Sequence, residues 1–211
     1  MSKSRHEIPE ATVTRLALYL RELQQLDRSG SINIRSQSLA DRLGLKDSQV
    51  RRDLSCIGSV GLRGVGYRVQ DLMHGIQVIL GTDRTWKVVL VGVGNLGRAL
   101  TGYKGFEAQG FQLVAAFDSD AAKIGQKVGT LTIQALDSLE SFAKKHPVDL
   151  AILAVPAQAA QEVAQTIEAA GIKGILNFAP IAVHPFVHDQ TTVQDVDLAI
   201  ELQRLAFSVV R

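Results

Sequence analysis

One cysteine, Cys56, stands in a chain of 211 residues. No disulfide can therefore close within the chain, a secreted fold held by staples is excluded, and a reducing compartment, the cytoplasm, is expected. Aromatic residues make up only 5% of the sequence, which leaves the core to aliphatic side chains. Long apolar runs are missing as well. The first residues carry Lys3, Arg5, Glu7 and Glu10 where a signal peptide would be apolar. The uncharged stretch from Gly174 to His188 is too short to span a bilayer, and Pro180 and Pro185 would break a helix there. No membrane segment is expected.

What is present is the mix of a globular protein, 46% hydrophobic and 21% charged, long enough for one large domain or two small ones. The net charge of +2 hides an asymmetry. Residues 1–80 hold 12 Lys/Arg against 8 Asp/Glu, whereas residues 81–211 hold 11 against 13. The basic excess in the first third points to a polyanionic partner.

After Pro9, the residues Val13, Leu16, Ala17, Leu20 and Leu23 recur at helical spacing, and Gly30 ends the run. A second helix is expected from Ser36, read as its N-cap, through Leu39, Ala40 and Leu43, with Gly44 turning the chain. A third starts near Ser48. The spacing of Ala40, Gly44 and Val50 is that of a helix-turn-helix. Val50, Leu54 and Ile57 share one side of the third helix, while Ser48, Gln49, Arg51, Arg52 and Ser55 form the outer face. Arginine can pair with guanine edges and glutamine with adenine, so this face suits a major groove. Four glycines between Gly58 and Val69 punctuate two extended pieces of a β-hairpin wing, with Arg63 at the tip for a minor groove. A helix over about Gln70 to Leu80 closes this part, and Gly81 to Arg84 reads as a connector.

From Trp86 the pattern becomes strand, turn, helix, repeated. Lys87 to Val91 is an aliphatic run of the kind buried in a parallel sheet, followed at once by Gly92-Val93-Gly94-Asn95-Leu96-Gly97. A second strand ends at Asp118, 21 residues beyond Gly97. A strand, this glycine turn, a helix and then an acid form the dinucleotide-binding fingerprint, and the acid favours NAD(H) over NADP(H). Strands at Leu131 to Gln134, Leu150 to Val155 and Gly174 to Phe178 alternate with helices near Asp137 to Lys145 and Gln158 to Ala170, giving a doubly wound α/β sheet. Val155, Pro156, Asn177, Phe178 and Ala179 follow strand ends, the edge where such sheets bind ligands. A last helix, Asp197 to Val210, carries Leu198, Leu202, Leu205 and Val209 on one stripe that needs a second subunit to cover it. His184 and His188 flank Pro185 without the further ligands zinc would want, so no metal is expected.

Together these stretches resemble the Rex family of redox-sensing transcriptional repressors over nearly the whole chain. The resemblance rests on Gln49 to Ser55, Arg63-Gly64-Val65-Gly66-Tyr67, Gly92 to Gly97, Ala115 to Asp118, Ala170 to Pro180 and Asp195-Val196-Asp197. Cys56 and Ile57 stand where the family usually has aromatics. The resemblance implies a winged-helix DNA-binding domain over 1–80, a Rossmann-like NAD(H)-binding domain over 81–195 and a dimerisation helix over 196–211 exchanged between subunits. It implies a homodimer on a palindromic double-stranded operator, released when NADH binds and not by NAD+, with no catalysis. Gly64 and Tyr67 join the DNA-binding set, Tyr103 matches a tyrosine near the nicotinamide, and Arg21 with Asp197 match a pair linked to the switch. Two other readings compete: a small NAD-dependent oxidoreductase whose N-terminal module only mediates assembly, and a coenzyme A binder, against which Asp118 argues.

Overall fold

A computed structural model describes residues 8–58, 61–62, 65–184 and 191–210. The chain divides into two compact units, Met1–Arg84 and Thr85–Arg211. In the first, α1 (Glu10–Arg28), α2 (Ser36–Leu43), α3 (Asp47–Leu54) and α4 (Val69–Leu80) enclose an aliphatic core. The buried face of α1 is Thr12, Leu16, Tyr19, Leu20, Leu23 and Leu26. Val13 and Ala17, expected inside, are exposed, because the helix is rolled so that Tyr19 and Thr12 reach a buried carboxylate on α3.

Gly44 takes the left-handed conformation at φ 65°, and Leu45 N–H donates to the Ala40 carbonyl, so α2 ends as its sequence predicts. Its start differs. The cap is Arg35, without a side-chain bond, while Ser36 is buried and its hydroxyl accepts from Arg51 Nε at 3.1 Å. A 3-10 turn, Ser55–Ile57, extends α3. Cys56 is buried, and Ile57 packs where Gly75 of α4 has no side chain, since a Cβ there would overlap the Ile57 methyl. Ile57 therefore depends on a glycine opposite it. The wing contains β2 (Gly61–Leu62) and β3 (Gly66–Arg68), antiparallel, and β3 also pairs with β1 (Asn33–Ile34), a strand too short to leave a periodic signal. Arg63 and Gly64 lie outside the described residues.

The second unit is a seven-stranded sheet. Its strands are β4 (Trp86–Val91), β5 (Phe111–Asp118), β6 (Lys127–Val128), β7 (Leu131–Ala135), β8 (Leu150–Leu153), β9 (Gly174–Asn177) and β10 (Thr192–Asp195), in the order β10-β9-β8-β4-β5-β7-β6. All neighbours are parallel except β6 on β7. Residues of β4 alternate between the two cores, Val89 and Val91 with one, Val88 and Leu90 with the other, as a strand covered on both faces requires. The helices are α5 (Asn95–Thr101), α6 (Gly105–Ala108), α7 (Leu139–Lys145), α8 (Ala157–Ala169) and α9 (Leu198–Val209). The chain leaves β4 toward β5 and β7, then returns across it to β8, β9 and β10, which opens a crevice between the carboxyl ends of β4 and β8. Two strands escape the periodicity: β6, a two-residue antiparallel edge, and β10, which completes the sheet immediately before α9.

On α9 no residue is buried, and Leu202 and Val209 are 66% and 76% exposed. Asp197, expected as its first residue, is its N-cap, accepting from the amides of Ala199 and Ile200 at 2.8 and 3.2 Å. No helix among the described residues is long and apolar enough to cross a membrane.

Candidate nucleotide crevice and nucleic-acid face

The turn after β4 shows three glycines with three different reasons. Gly92 has φ +95°, and a Cβ on it would lie 2.7 Å from both the Ala154 carbonyl carbon and Val155 Cγ1, so the backbones leaving β4 and β8 touch only because no side chain intervenes. Gly97 is buried in the first turn of α5, where a Cβ would overlap the Gly92 carbonyl oxygen. Gly94 differs. It has an ordinary φ of −80°, and a Cβ there would meet nothing within 4 Å among the described residues. Its bareness is not required by the protein's own packing. It leaves room beside the opening amides of α5, which have no acceptor within the helix.

Asp118, at the end of β5, is 7% exposed. Its Oδ2 accepts from the Val93 amide at 2.8 Å and from Lys123 Nζ at 2.9 Å, and its Oδ1 from the Asp120 amide at 2.9 Å. Burial pushes the carboxyl's pKa up, but the Asp120 amide, the Lys123 ammonium and the Val93 amide outweigh it and hold the group below the ordinary aspartate value. With about four acceptor positions on a carboxylate, one is left on Oδ1 for a ligand hydroxyl. Asp118 is more committed than its place in the fingerprint predicts. Lys123 lies between Asp118 and Asp120, at 2.9 and 3.8 Å, so two carboxylates share one ammonium and the corner keeps a net negative charge.

Farther along this edge, Val155 and Phe178 are half-buried, Ala179 is buried, and Pro156 caps α8. Asn177 is fully buried and its side chain is spent within the protein. Its Nδ2 donates to the Ile181 carbonyl at 2.8 Å and to Asp195 Oδ1 at 2.7 Å, and its Oδ1 accepts from the Ala179 amide at 2.9 Å. It shapes the edge and offers no atom to a ligand. Asn95 and Leu96 are exposed, Val93 is buried, and Tyr103 is 60% exposed with its ring edge-on to Phe106 at 5.0 Å.

In the first unit, Asp53 of α3 is 2% exposed. Arg15 Nε and a terminal nitrogen donate to it at 2.6 and 2.9 Å, Tyr19 Oη at 2.8 Å, Gln49 Nε2 at 3.0 Å and Thr12 Oγ1 at 3.3 Å. Burial pushes Asp53 up, but the bonds from Arg15, Tyr19 and Gln49 prevail and lower its pKa. The same bond to Asp53 raises Arg15 further, while burial and then Asp53 raise Tyr19. On the outer face Ser48, Arg51, Arg52 and Ser55 are exposed, but they are not equivalent. Arg51 is held by Ser36 and by Asp47 at 2.7 Å, and Ser55 Oγ donates to the Arg52 carbonyl at 2.6 Å. The Arg52 guanidinium makes no ion pair among the described residues. Gln49, expected outward, is half-buried and folded back on Asp53. Tyr67 is half-buried on β3 with its ring against Gly61, and Arg21 is exposed on α1.

Two families match parts of the chain: the CoA binding domain over residues 83–181 and the putative DNA-binding protein N-terminus over residues 7–55. The redox-sensing transcriptional repressor Rex of Pelotomaculum thermopropionicum is 44% identical over 205 residues, covering 97% of this chain and 95% of that protein. The chain belongs to the Rex family. Among solved structures, RSP in complex with β-NAD+ and operator DNA matches with a TM-score of 0.88 at 33% identity, covering 96% of this chain and 92% of that one. RSP in complex with β-NADH matches with a TM-score of 0.85 at 32% identity, covering 98% and 95%. The winged-helix and Rossmann-like architecture read from the sequence is that of these Rex relatives.

Sequence reasoning gave no role to Arg15, Tyr19 and Lys123, and took Asp53 and Asp195 only as parts of matching stretches. The signal for Arg15, Tyr19 and Asp53 was present: Asp53 interrupts the apolar stripe of α3 beside Val50 and Leu54, and Arg15 and Tyr19 stand four residues apart on α1. Nothing in the local pattern announced Lys123 or the bond that Asp195 accepts from Asn177.

Proposed function

We propose that this chain is a DNA-binding transcriptional repressor that reads the NADH/NAD+ balance: it binds a palindromic operator as a homodimer and releases it when NADH enters the crevice behind Gly94. The carrying observation is the open space at Gly94, a glycine whose absent side chain serves no internal contact, in a chain whose Rex relative RSP has been solved with NAD+ and operator DNA and with NADH. Rex relatives are repressors, which removes the oxidoreductase reading. The negative corner of Asp118, Asp120 and Lys123 disfavours the extra phosphate of NADP(H) and of coenzyme A, although the matching domain family takes its name from the latter.

The cofactor supplies a ring that gains or loses one positive charge. Opening amides of α5 would hold its diphosphate, the remaining acceptor on Asp118 would take a ribose hydroxyl, and Val155, Pro156, Phe178, Ala179 and Tyr103 would supply the surface for the ring. An apolar edge penalises the charged ring by desolvation and favours the reduced one. The uncovered stripe of α9 supports dimerisation through that helix, and an operator-binding protein works where the DNA is, in the cytoplasm. Titrating labelled operator with each cofactor tests the reading: NADH should weaken binding by about 5–150-fold while NAD+ does not. Equal release by both, or no duplex bound at all, would reject it.

For the operator, Arg52 is the reader best supported, since Arg51 is occupied by Ser36 and Asp47 and Gln49 by Asp53. Arg52→Ala should cost about 1–3 kcal/mol of operator affinity and relax the preference at one base-pair position per half-site. Arg51→Ala should weaken all sequences alike. A binding-site selection with both variants separates the two.

A further inference from the structure

The carboxyl edge of the sheet is tied to the root of α9 at one point. Asn177, the last residue of β9, is fully buried, and all three of its side-chain bonds stay within this edge. Two of them, to the Ala179 amide and the Ile181 carbonyl, fix the loop that follows Phe178. The third holds Asp195, its register partner on β10, and the Asn177 backbone carbonyl accepts from the Val196 amide at 2.8 Å. On its other side the row continues, with the Phe178 amide donating to the Leu153 carbonyl, the Ala154 amide to Val91 and the Gly92 amide to Phe117. A single file of bonds thus runs from the fingerprint turn to Val196, and the next residue is the cap of α9. The helix beyond has no buried residue. At 12 residues it is about 18 Å long, and a tilt of about 10° at its root carries its far end about 3 Å.

We infer that the Asn177–Asp195 bond is the joint through which occupancy of the crevice is passed to the C-terminal helix, with Asp195 as a positioning residue that touches no cofactor. The inference rests on the functional reading above. Loop 178–181 cannot shift without either breaking a bond to a fully buried amide, which is costly because that group has no water to turn to, or moving Asn177 and Asp195 with it. Asp195 is exposed, so its removal spares the core.

The test uses full-length protein with Asp195→Ala and Asp195→Asn. The asparagine keeps an oxygen for Asn177 Nδ2 and should behave as the parent. For Asp195→Ala, NADH affinity by fluorescence titration should stay within about threefold, while the NADH-induced drop in operator affinity should shrink at least about fivefold, within the usual range of coupling. Hydrogen exchange gives a readout independent of DNA. In the parent, NADH should change protection both in 178–183 and in 196–210; in Asp195→Ala only the first segment should respond. A C-terminal response that survives in Asp195→Ala overturns the joint, as does its absence from the parent. Failure of NADH to release operator from the parent overturns the functional reading instead, whatever the exchange pattern.

Discussion

Gly94→Ala should lose about 100-fold or more in NADH affinity, close to 3 kcal/mol, with a thermal midpoint within about 2 °C of the parent. The expectation follows from the empty space around that position. An added methyl meets no atom of the described residues within 4 Å and sits at an ordinary φ, so folding has nothing to pay. It does occupy the ground on which a diphosphate must approach the first amides of α5. Gly92 and Gly97 give the opposite pattern. Alanine at Gly92 is forced into φ +95° against Ala154 and Val155, and alanine at Gly97 is driven into the Gly92 carbonyl, so both variants should melt well below the parent whether or not cofactor is present. A fluorescence titration beside a calorimetric melt checks all three. If Gly94→Ala binds NADH as the parent does, the crevice is not where the diphosphate lies. The repressor should then also stay on its operator only as long as the parent does.

The order of strands and helices in the second unit is legible because β4, β8 and most of β5 and β9 are aliphatic runs, the trace that buried parallel strands leave, and β7 still alternates Leu131 and Ile133 with polar residues. Two pieces lack it. Lys127–Val128 pairs for only two residues, and Thr192–Asp195 is an edge strand whose partly exposed face mixes polar with apolar residues. The glycine fingerprint is legible in position and in two of its three mechanisms, since both turn and close packing are local. The state of Asp118 is not, because its bonds come from Val93, Asp120 and Lys123, and only the folded loop decides which of them reach the carboxylate. On α3 the helical period places Ser48, Arg52 and Ser55 outside correctly. It misplaces Gln49, because period fixes where a Cβ points and not where a long side chain ends. The strand-end position of Asn177 predicts a ligand contact; whether its amide faces out or is consumed inside depends on Ile181 and Asp195, four and eighteen residues away.

Asp53→Ala should be the most damaging single change in the first unit, costing about 2–4 kcal/mol of its stability and at least about tenfold in operator affinity. The carboxylate is the common acceptor for Arg15, Tyr19, Gln49 and Thr12, so its loss strands a guanidinium that is only 23% exposed and a tyrosine hydroxyl that is fully buried. Because Asp53 itself is buried beneath α3, it contributes no contact to a phosphate. The slope of operator affinity against salt should therefore stay that of the parent even as affinity falls, whereas loss of a direct phosphate contact would reduce the slope by about one. Asp53→Asn, which keeps an acceptor and loses the charge, should fall between the two. The pH dependence has a definite sign. A carboxyl whose folded pKa is lowered gives stability that is present above the unfolded value of about 3.9 and is lost as pH falls through the folded value, so the parent's first unit should weaken in acid. Tyr19, raised in the fold, works at the other end: its contribution holds below about pH 10 and fades above it. In Asp53→Ala the acid limb should flatten. A variant that melts like the parent, or an acid limb of unchanged steepness, would mean that α1 and α3 are held together by their aliphatic faces alone.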